Sequence, residues 1–94
     1  MGELSLQNNT AGNFNTAMGR VALNSNTASN NTGIGYAALT ANTTGTYNVA
    51  LGALALDANI SASSNTAVGY SSLGANTAAN NTAVGRNAMV VNTT

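Results

Sequence analysis

Short apolar clusters alternate along the chain with runs of Asn, Thr and Ser, and the alternation is periodic. Its cleanest copy is Asn65-Thr66-Ala67-Val68-Gly69-Tyr70-Ser71-Ser72-Leu73. Aligning each Asn that precedes a small-apolar-Gly triplet gives Asn15, Asn31, Asn48, Asn65 and Asn81, at spacings of 16, 17, 17 and 16 residues. A second Asn column follows, at Asn9, Asn26, Asn42, Asn59, Asn76 and Asn92, and the one-residue insertions fall between it and the next start. Leu6 to Phe14 match the back half of a repeat, so the chain opens on a half coil. The third copy drifts, with Val49 for Thr, Leu54 in a polar slot and Ile60 where other copies carry Thr. The pattern predicts one β-roll repeat domain over 1–94, divided into a half coil 4–14 and repeats 15–30, 31–47, 48–64, 65–80 and 81–94.

A period of 16 or 17 residues is too short for a helix-turn-helix unit, and a fixed Gly inside the apolar stretch disfavours a helix. Thr66-Ala67-Val68 reads as a short strand, Gly69 as a bend or close backbone approach, and Ser71-Ser72-Leu73 as the start of a second strand. The Asn-rich remainder supplies turns, because Asn tolerates left-handed backbone and bonds its own main chain. Two strands and two turns then make one coil, and coils stack in parallel at about 4.8 Å. The predicted fold class is all-β: a parallel β-roll or solenoid of five to six coils, roughly 25 to 29 Å long.

Stacking turns each repeat position into a vertical column. Met18, Ile34, Leu51, Val68 and Val84 form one apolar column, and Leu23, Leu39, Leu56, Leu73 and Met89 another. Both are expected to fill a thin interior with Ala22, Ala38, Ala55, Ser72 and Ala88. Alternation then sends Ala17, Gly33, Ala50, Ala67 and Ala83 outward together with Gly19, Gly35, Gly52, Gly69 and Gly85. Such smallness suits close approach of a second chain, so these ten residues are the candidate oligomer interface; a permissive surface or a bend required by the Gly is the alternative. Arg20, Tyr36, Ala53, Tyr70 and Arg86 form the last conspicuous column. Arg20 with Tyr36 and Tyr70 with Arg86 are spaced for cation-π stacking, making Arg20, Tyr36, Tyr70 and Arg86 the candidate outward contact column, with an ordinary solvated ladder as the alternative. The two Asn columns are expected to bond as amide ladders while closing turns. Sequon-like strings such as Asn30-Asn31-Thr32 and Asn80-Asn81-Thr82 offer glycosylation as another reading, although the repeat generates them automatically.

Composition narrows the function classes. Hydrophobic residues make up 44% of the chain but aromatics only 4%, so no bulky globular core is expected. Two basic and two acidic residues leave a net charge of zero, with no basic face for nucleic acid. Lys, His and Trp do not occur, nor do Cys and Pro. Thiolate and imidazole metal ligands, disulfides and the usual general base are therefore missing, and the reading is of a non-enzyme without cofactor or metal site. No run approaches the roughly 20 apolar residues of a membrane-spanning helix, and the first residues lack the pattern of a signal peptide. The last residues, Val90-Val91-Asn92-Thr93-Thr94, stop within a repeat, so the chain is expected to be a piece of a longer parent or an excised fragment.

The array of Asn-Thr-Ala-x-Gly with a trailing Ala-Leu resembles the head repeats of trimeric autotransporter adhesins. It looks still closer to similar arrays in phage tail fibres and related bacterial surface fibres. The resemblance covers Leu6 to about Asn92 and is best carried by Asn65 to Leu73 and Asn81 to Met89. It implies a left-handed roll, three copies around a common axis, and an extracellular, cell-surface or virion-fibre setting. In adhesin heads the motif reads Asn-Ser-Val-Ala-Ile-Gly, one residue longer between Asn and Gly than Thr66-Ala67-Val68 here. The function expected is thus a structural or adhesive fibre segment, its partner being itself and a host-surface or matrix ligand unspecified. Two other readings stand beside it. Thr16, Thr32, Thr66 and Thr82, with Thr10, Thr27, Thr43, Thr77 and Thr93, form ranks that could order water as ice-binding solenoids do, with Val49 and Ile60 as interruptions. Open solenoid ends could also stack into a filament.

Overall fold

Why the chain coils at all follows from how the Asn columns and the Thr-Ala-Val triplets stack. The computed structural model describes residues 2–92, and Thr93 of the second Thr rank lies outside them. The fold is all-β, a parallel β-solenoid of about five turns. Strands β1 (Thr16–Met18), β2 (Thr32–Ile34), β3 (Val49–Leu51), β4 (Thr66–Val68) and β6 (Thr82–Val84) form one five-stranded parallel sheet in the order β1-β2-β3-β4-β6. Register advances one repeat per strand, with Thr16 beside Thr32, Thr32 beside Val49 and Thr66 beside Thr82. A two-stranded sheet pairs β5 (Ala75–Asn76) with β7 (Val91–Asn92). The Cα extents are 30 × 20 × 16 Å.

The second strand expected in every coil is instead a ribbon of overlapping turns. In the first full coil, amides of Ala22, Asn24 and Asn26 donate to Gly19, Val21 and Leu23 carbonyls, each at 3.2 Å. Val21 and Leu23 have φ of 55° and 51°, as the third residue of a type II turn requires. The same two slots are left-handed in the later coils, at Ala37 and Leu39, Leu54 and Leu56, Ser71 and Leu73. A left-handed leucine costs about 1–2 kcal/mol. Two gains offset it: Leu23, Leu39, Leu56 and Leu73 are fully buried, although Met89 of the last coil, expected inside with them, is 45% exposed, and the leucine amides bond the next coil, as Leu23 N–H to Ala38 O at 2.9 Å and Leu39 N–H to Ala55 O at 3.0 Å. A strand in this place would face its residues alternately in and out; the turn ribbon brings consecutive residues, Ala22 and Leu23, both inside.

That ribbon sets the thickness of the interior and reverses the expected phase of the strands. Ala17, Ala50, Ala67 and Ala83 are buried, with Gly33 in the same column, whereas Met18, Leu51 and Val84 are 50%, 44% and 69% exposed and Ile34 and Val68 half-buried. A Cβ built on Gly33 would lie 3.1 Å from Ala38 O and 3.3 Å from Leu23 Cγ. The inner slot of the strand has room for a methyl group and nothing larger, so the aliphatic column turns outward. The core is accordingly one Leu and two small residues per coil, closed by Asn side chains. The column of Ala17, Gly33, Ala50, Ala67 and Ala83 therefore cannot be the outer interface expected for it, while in the Gly column Gly19, Gly35, Gly52 and Gly69 are half-buried and Gly85 is exposed. Ala17, Gly33, Ala50, Ala67 and Ala83 face the chain's own interior, and each of Gly19, Gly35, Gly52 and Gly69 lies against the next coil's backbone.

Both Asn columns act as ladders, by different routes. Asn26, Asn42, Asn59, Asn76 and Asn92 each donate from Nδ2 to Oδ1 of the preceding coil's Asn, at 2.7 to 3.4 Å. Asn26, Asn42, Asn59 and Asn76 also close their turns onto a carbonyl two or three residues ahead. In the other column Asn15, Asn31, Asn48 and Asn65 accept at Oδ1 from the backbone amide of the next coil's Asn, at 2.9 to 3.0 Å. Polar side chains in the core are tolerated because they find partners, and here the partners are the equivalent Asn of neighbouring coils; Asn65 Nδ2 alone among the described buried side-chain atoms has none.

Candidate functional site

No pocket opens among the described residues, and none of their acidic side chains cluster with metal-ligand geometry. No helix is long and apolar enough to cross a membrane. What the fold does build is an outer surface on the five-stranded sheet. Two columns cover it: Thr16, Thr32, Val49, Thr66 and Thr82, and the aliphatic Met18, Ile34, Leu51, Val68 and Val84. The pleat aims both outward because the intervening Ala or Gly aims inward.

Two edges flank this face. On one side lie Arg20, Tyr36, Ala53, Tyr70 and Arg86, where the sequence placed its outward contact column; Tyr36 and Tyr70 are 51% and 46% exposed, and both Arg are exposed. Of the two cation-π pairs expected, one is formed: the Arg86 guanidinium carbon sits 5.6 Å from the Tyr70 ring centre. Arg20 turns instead to Glu3 one coil below, Nε to Oε1 at 3.0 Å, because the acidic residue occupies the corresponding slot of the half coil. On the other side, just before each Asn15-column residue, stand Phe14, Asn30, Tyr47, Ser64 and Asn80. All five have left-handed φ of 58 to 64°, and Phe14 and Tyr47 are 85% and 64% exposed. Sequence reading overlooks this edge, since the slot mixes aromatic, amide and hydroxyl side chains and shows no uniform chemistry. The usable signal is a bulky ring in a slot that elsewhere holds Asn or Ser.

The other candidates lie apart from this surface. Hydroxyls of Thr27 and Thr43, in the second Thr rank, bond the next coil's carbonyls of Thr43 and Ile60. Asn31 of the sequon-like string is fully buried with both amide atoms engaged, and Asn81 is half-buried.

Asp57 takes the place that Asn24 and Thr40 hold in earlier coils. Burial pushes its carboxyl above the usual carboxylate range, against the weaker pull of its own and Ala58 backbone amides. The native state thus holds this proton more tightly than the unfolded chain does, so the stability contributed is present in acid and lost as pH rises through the folded pKa. Asp57→Asn is expected to raise the urea midpoint at neutral pH and to leave it unchanged well below the carboxylate range. An amide suits the slot, as Asn24 donates there to Leu4 O at 2.9 Å. Equal effects at both pH values would exclude ionisation as the cause.

Neither a family model, a curated protein nor a solved structure matches the chain.

Proposed function

We propose that the chain is a non-enzymatic structural segment that associates with copies of itself through its outer sheet face, forming a homotrimeric head or shaft of a surface adhesin or phage tail fibre. One observation carries the self-association. Parallel sheets occur almost only with both faces covered, and here the turn ribbon covers one face while the other presents an outward aliphatic column, with Met18, Leu51 and Val84 exposed and Ile34 and Val68 half-buried between them. Covering that column removes apolar surface at roughly 25 cal/mol per Å². The column sits on strands already paired in one sheet, so association has few backbone degrees of freedom left to order. The number three, the left hand and the extracellular setting rest on the resemblance of Asn65 to Leu73 and Asn81 to Met89 to fibre and adhesin repeats. The contribution to a fibre is stiffness: amide ladders and parallel ladders along the whole length resist bending of the stack.

The same face supports a second reading, since one outward Thr column beside an aliphatic one at the coil repeat resembles an ordered-water template, with Val49 as the break. One set of measurements separates them. Sedimentation of the native chain at micromolar concentration is expected to give a trimer mass, and Leu51→Glu a folded monomer, because the Leu51 side chain lies outside the core. A native chain that stays a folded monomer would end the fibre reading, and a monomer that also shapes growing ice crystals would replace it with the second.

A further inference from the structure

The two edges of the sheet face differ in kind, and level by level they are complementary in size. At the β3 level one edge carries Tyr47 and the other Ala53. At the β2 level the order reverses, with Asn30 opposite Tyr36, and at the β4 level Ser64 lies opposite Tyr70. Each of these coils therefore presents one aromatic ring and one small or short residue, and the ring changes edge from coil to coil. Phe14 and Arg20, at the β1 level, are both large but form a ring and a guanidinium, which attract each other.

We infer that neighbouring copies meet edge to unlike edge and in register, the Phe14/Tyr47 edge of one against the Tyr36/Tyr70 edge of the next. The inference rests on the self-association proposed above and specifies how it closes. In a ring whose axis runs along the solenoid, every copy uses the same two unlike patches, and same-level residues meet. Tyr47 of one copy then fills the space left by Ala53 of the next, while Tyr36 and Tyr70 of the second cover Asn30 and Ser64 of the first. A shift of one coil in one direction sets Tyr47 on Tyr70, and in the other direction Tyr47 on Tyr36, ring against ring with small residues facing each other elsewhere. Antiparallel pairing of the Arg edge with itself puts Arg20 on Arg86, which like charges disfavour. Among pairings that keep both sheet faces on the same side, only the parallel, in-register, unlike one fits a small residue to each of the three Tyr.

The test exchanges the partners. Ala53→Tyr is tolerated by its own column, which holds Tyr in two other coils, and Tyr47→Asn by its column, which holds Asn in two. Within one copy the β3 strand keeps these sites roughly 15–20 Å apart, so any coupling between them in association arises between copies. Ala53→Tyr is expected to weaken association about tenfold or more by setting two rings in one space. Adding Tyr47→Asn recreates the Asn30–Tyr36 arrangement and is expected to bring the affinity back near the native value. The chain has no cysteine, so single variants Tyr47→Cys and Ala53→Cys provide a second measurement independent of affinity. When the two proteins are mixed, a short bis-maleimide is expected to join them, and to join neither alone. A native chain that does not associate removes this inference together with the reading beneath it. Association that persists without rescue by the exchange, or cross-linking of Tyr47→Cys to itself, overturns the edge pairing and leaves self-association standing.

Discussion

Gly52→Ala is expected to cost at least about 4 kcal/mol, enough to unfold a small domain of ordinary stability, while the same change at Gly85 costs about 1–3 kcal/mol. Both residues hold the same backbone conformation, with φ of 132° and 128°, in a region where a side chain is strained whatever the space around it. Their surroundings differ. A Cβ on Gly52 would fall 2.7 Å from Gly69 O and 2.8 Å from Gly69 C, backbone atoms that move only if the coil above moves with them. A Cβ on Gly85 meets nothing nearer than Ala88 Cβ at 3.9 Å. The conformational cost is common to both variants, so the difference between them isolates the contact between stacked coils. For a chain of this size, a gap of about 2 kcal/mol corresponds to about 10 °C in melting temperature. Thermal melts by circular dichroism would show it. Equal losses at the two sites would mean that the coils do not approach as closely as the structure places them.

The same glycine column marks how far the sequence could be read. Repetition made the solenoid legible, because equivalent residues at 16 or 17 residue spacing have to meet once coils stack. The Asn columns were legible too, since a buried amide repeated in every coil has little else to bond but the amide above. Strand phase was not. Hydrophobicity ranks Val68 above Ala67 for an interior place, and only the thickness of the interior decides otherwise. Thickness is set by the turn ribbon, whose left-handed leucines carry no signature, because Leu is among the residues that avoid that conformation. The smallness of the Ala column is required by the thin interior and that of the Gly column by the backbone of the next coil, so neither needs a second chain to explain it. Arg20, Tyr36, Tyr70 and Arg86 lie outward because they are too large or too charged for so thin an interior. The edge that holds Phe14 and Tyr47 is not legible in the sequence, because an edge is a property of the assembled coil and no run of neighbouring residues spells it out.

The amide ladder carries the other large effect. Asn42 is fully buried; its Nδ2 donates to Asn26 Oδ1 at 2.7 Å and to Gly45 O at 3.0 Å, and its Oδ1 accepts from Asn59 Nδ2 at 2.9 Å. Asn42→Ala removes all three bonds and leaves a void. Asn26 Oδ1 and Gly45 O retain Asn31 Nδ2 as a partner, and Asn59 Nδ2 retains Ala62 O. The loss is therefore expected at about 2–4 kcal/mol, the sum of a few net hydrogen bonds and a small cavity. Asn42→Asp keeps the shape but exchanges the donor for a second acceptor. A buried carboxylate then faces Asn26 Oδ1 and Gly45 O, both acceptors, with one donor left to it from Asn59. At neutral pH the aspartate variant is expected to be less stable than the alanine one, although it is nearly isosteric with the native residue. Protonation restores one O–H donor to the site. The carboxyl pKa in the folded variant is raised above its unfolded value, so stability returns as pH falls through it. The alanine variant has nothing at this position to titrate. Urea midpoints measured from neutral to acid pH should converge on the native curve for Asn42→Asp and run parallel to it for Asn42→Ala. An aspartate variant as stable as the native chain at neutral pH would mean that the amide does not donate toward the preceding coil, and the directional ladder would have to be abandoned.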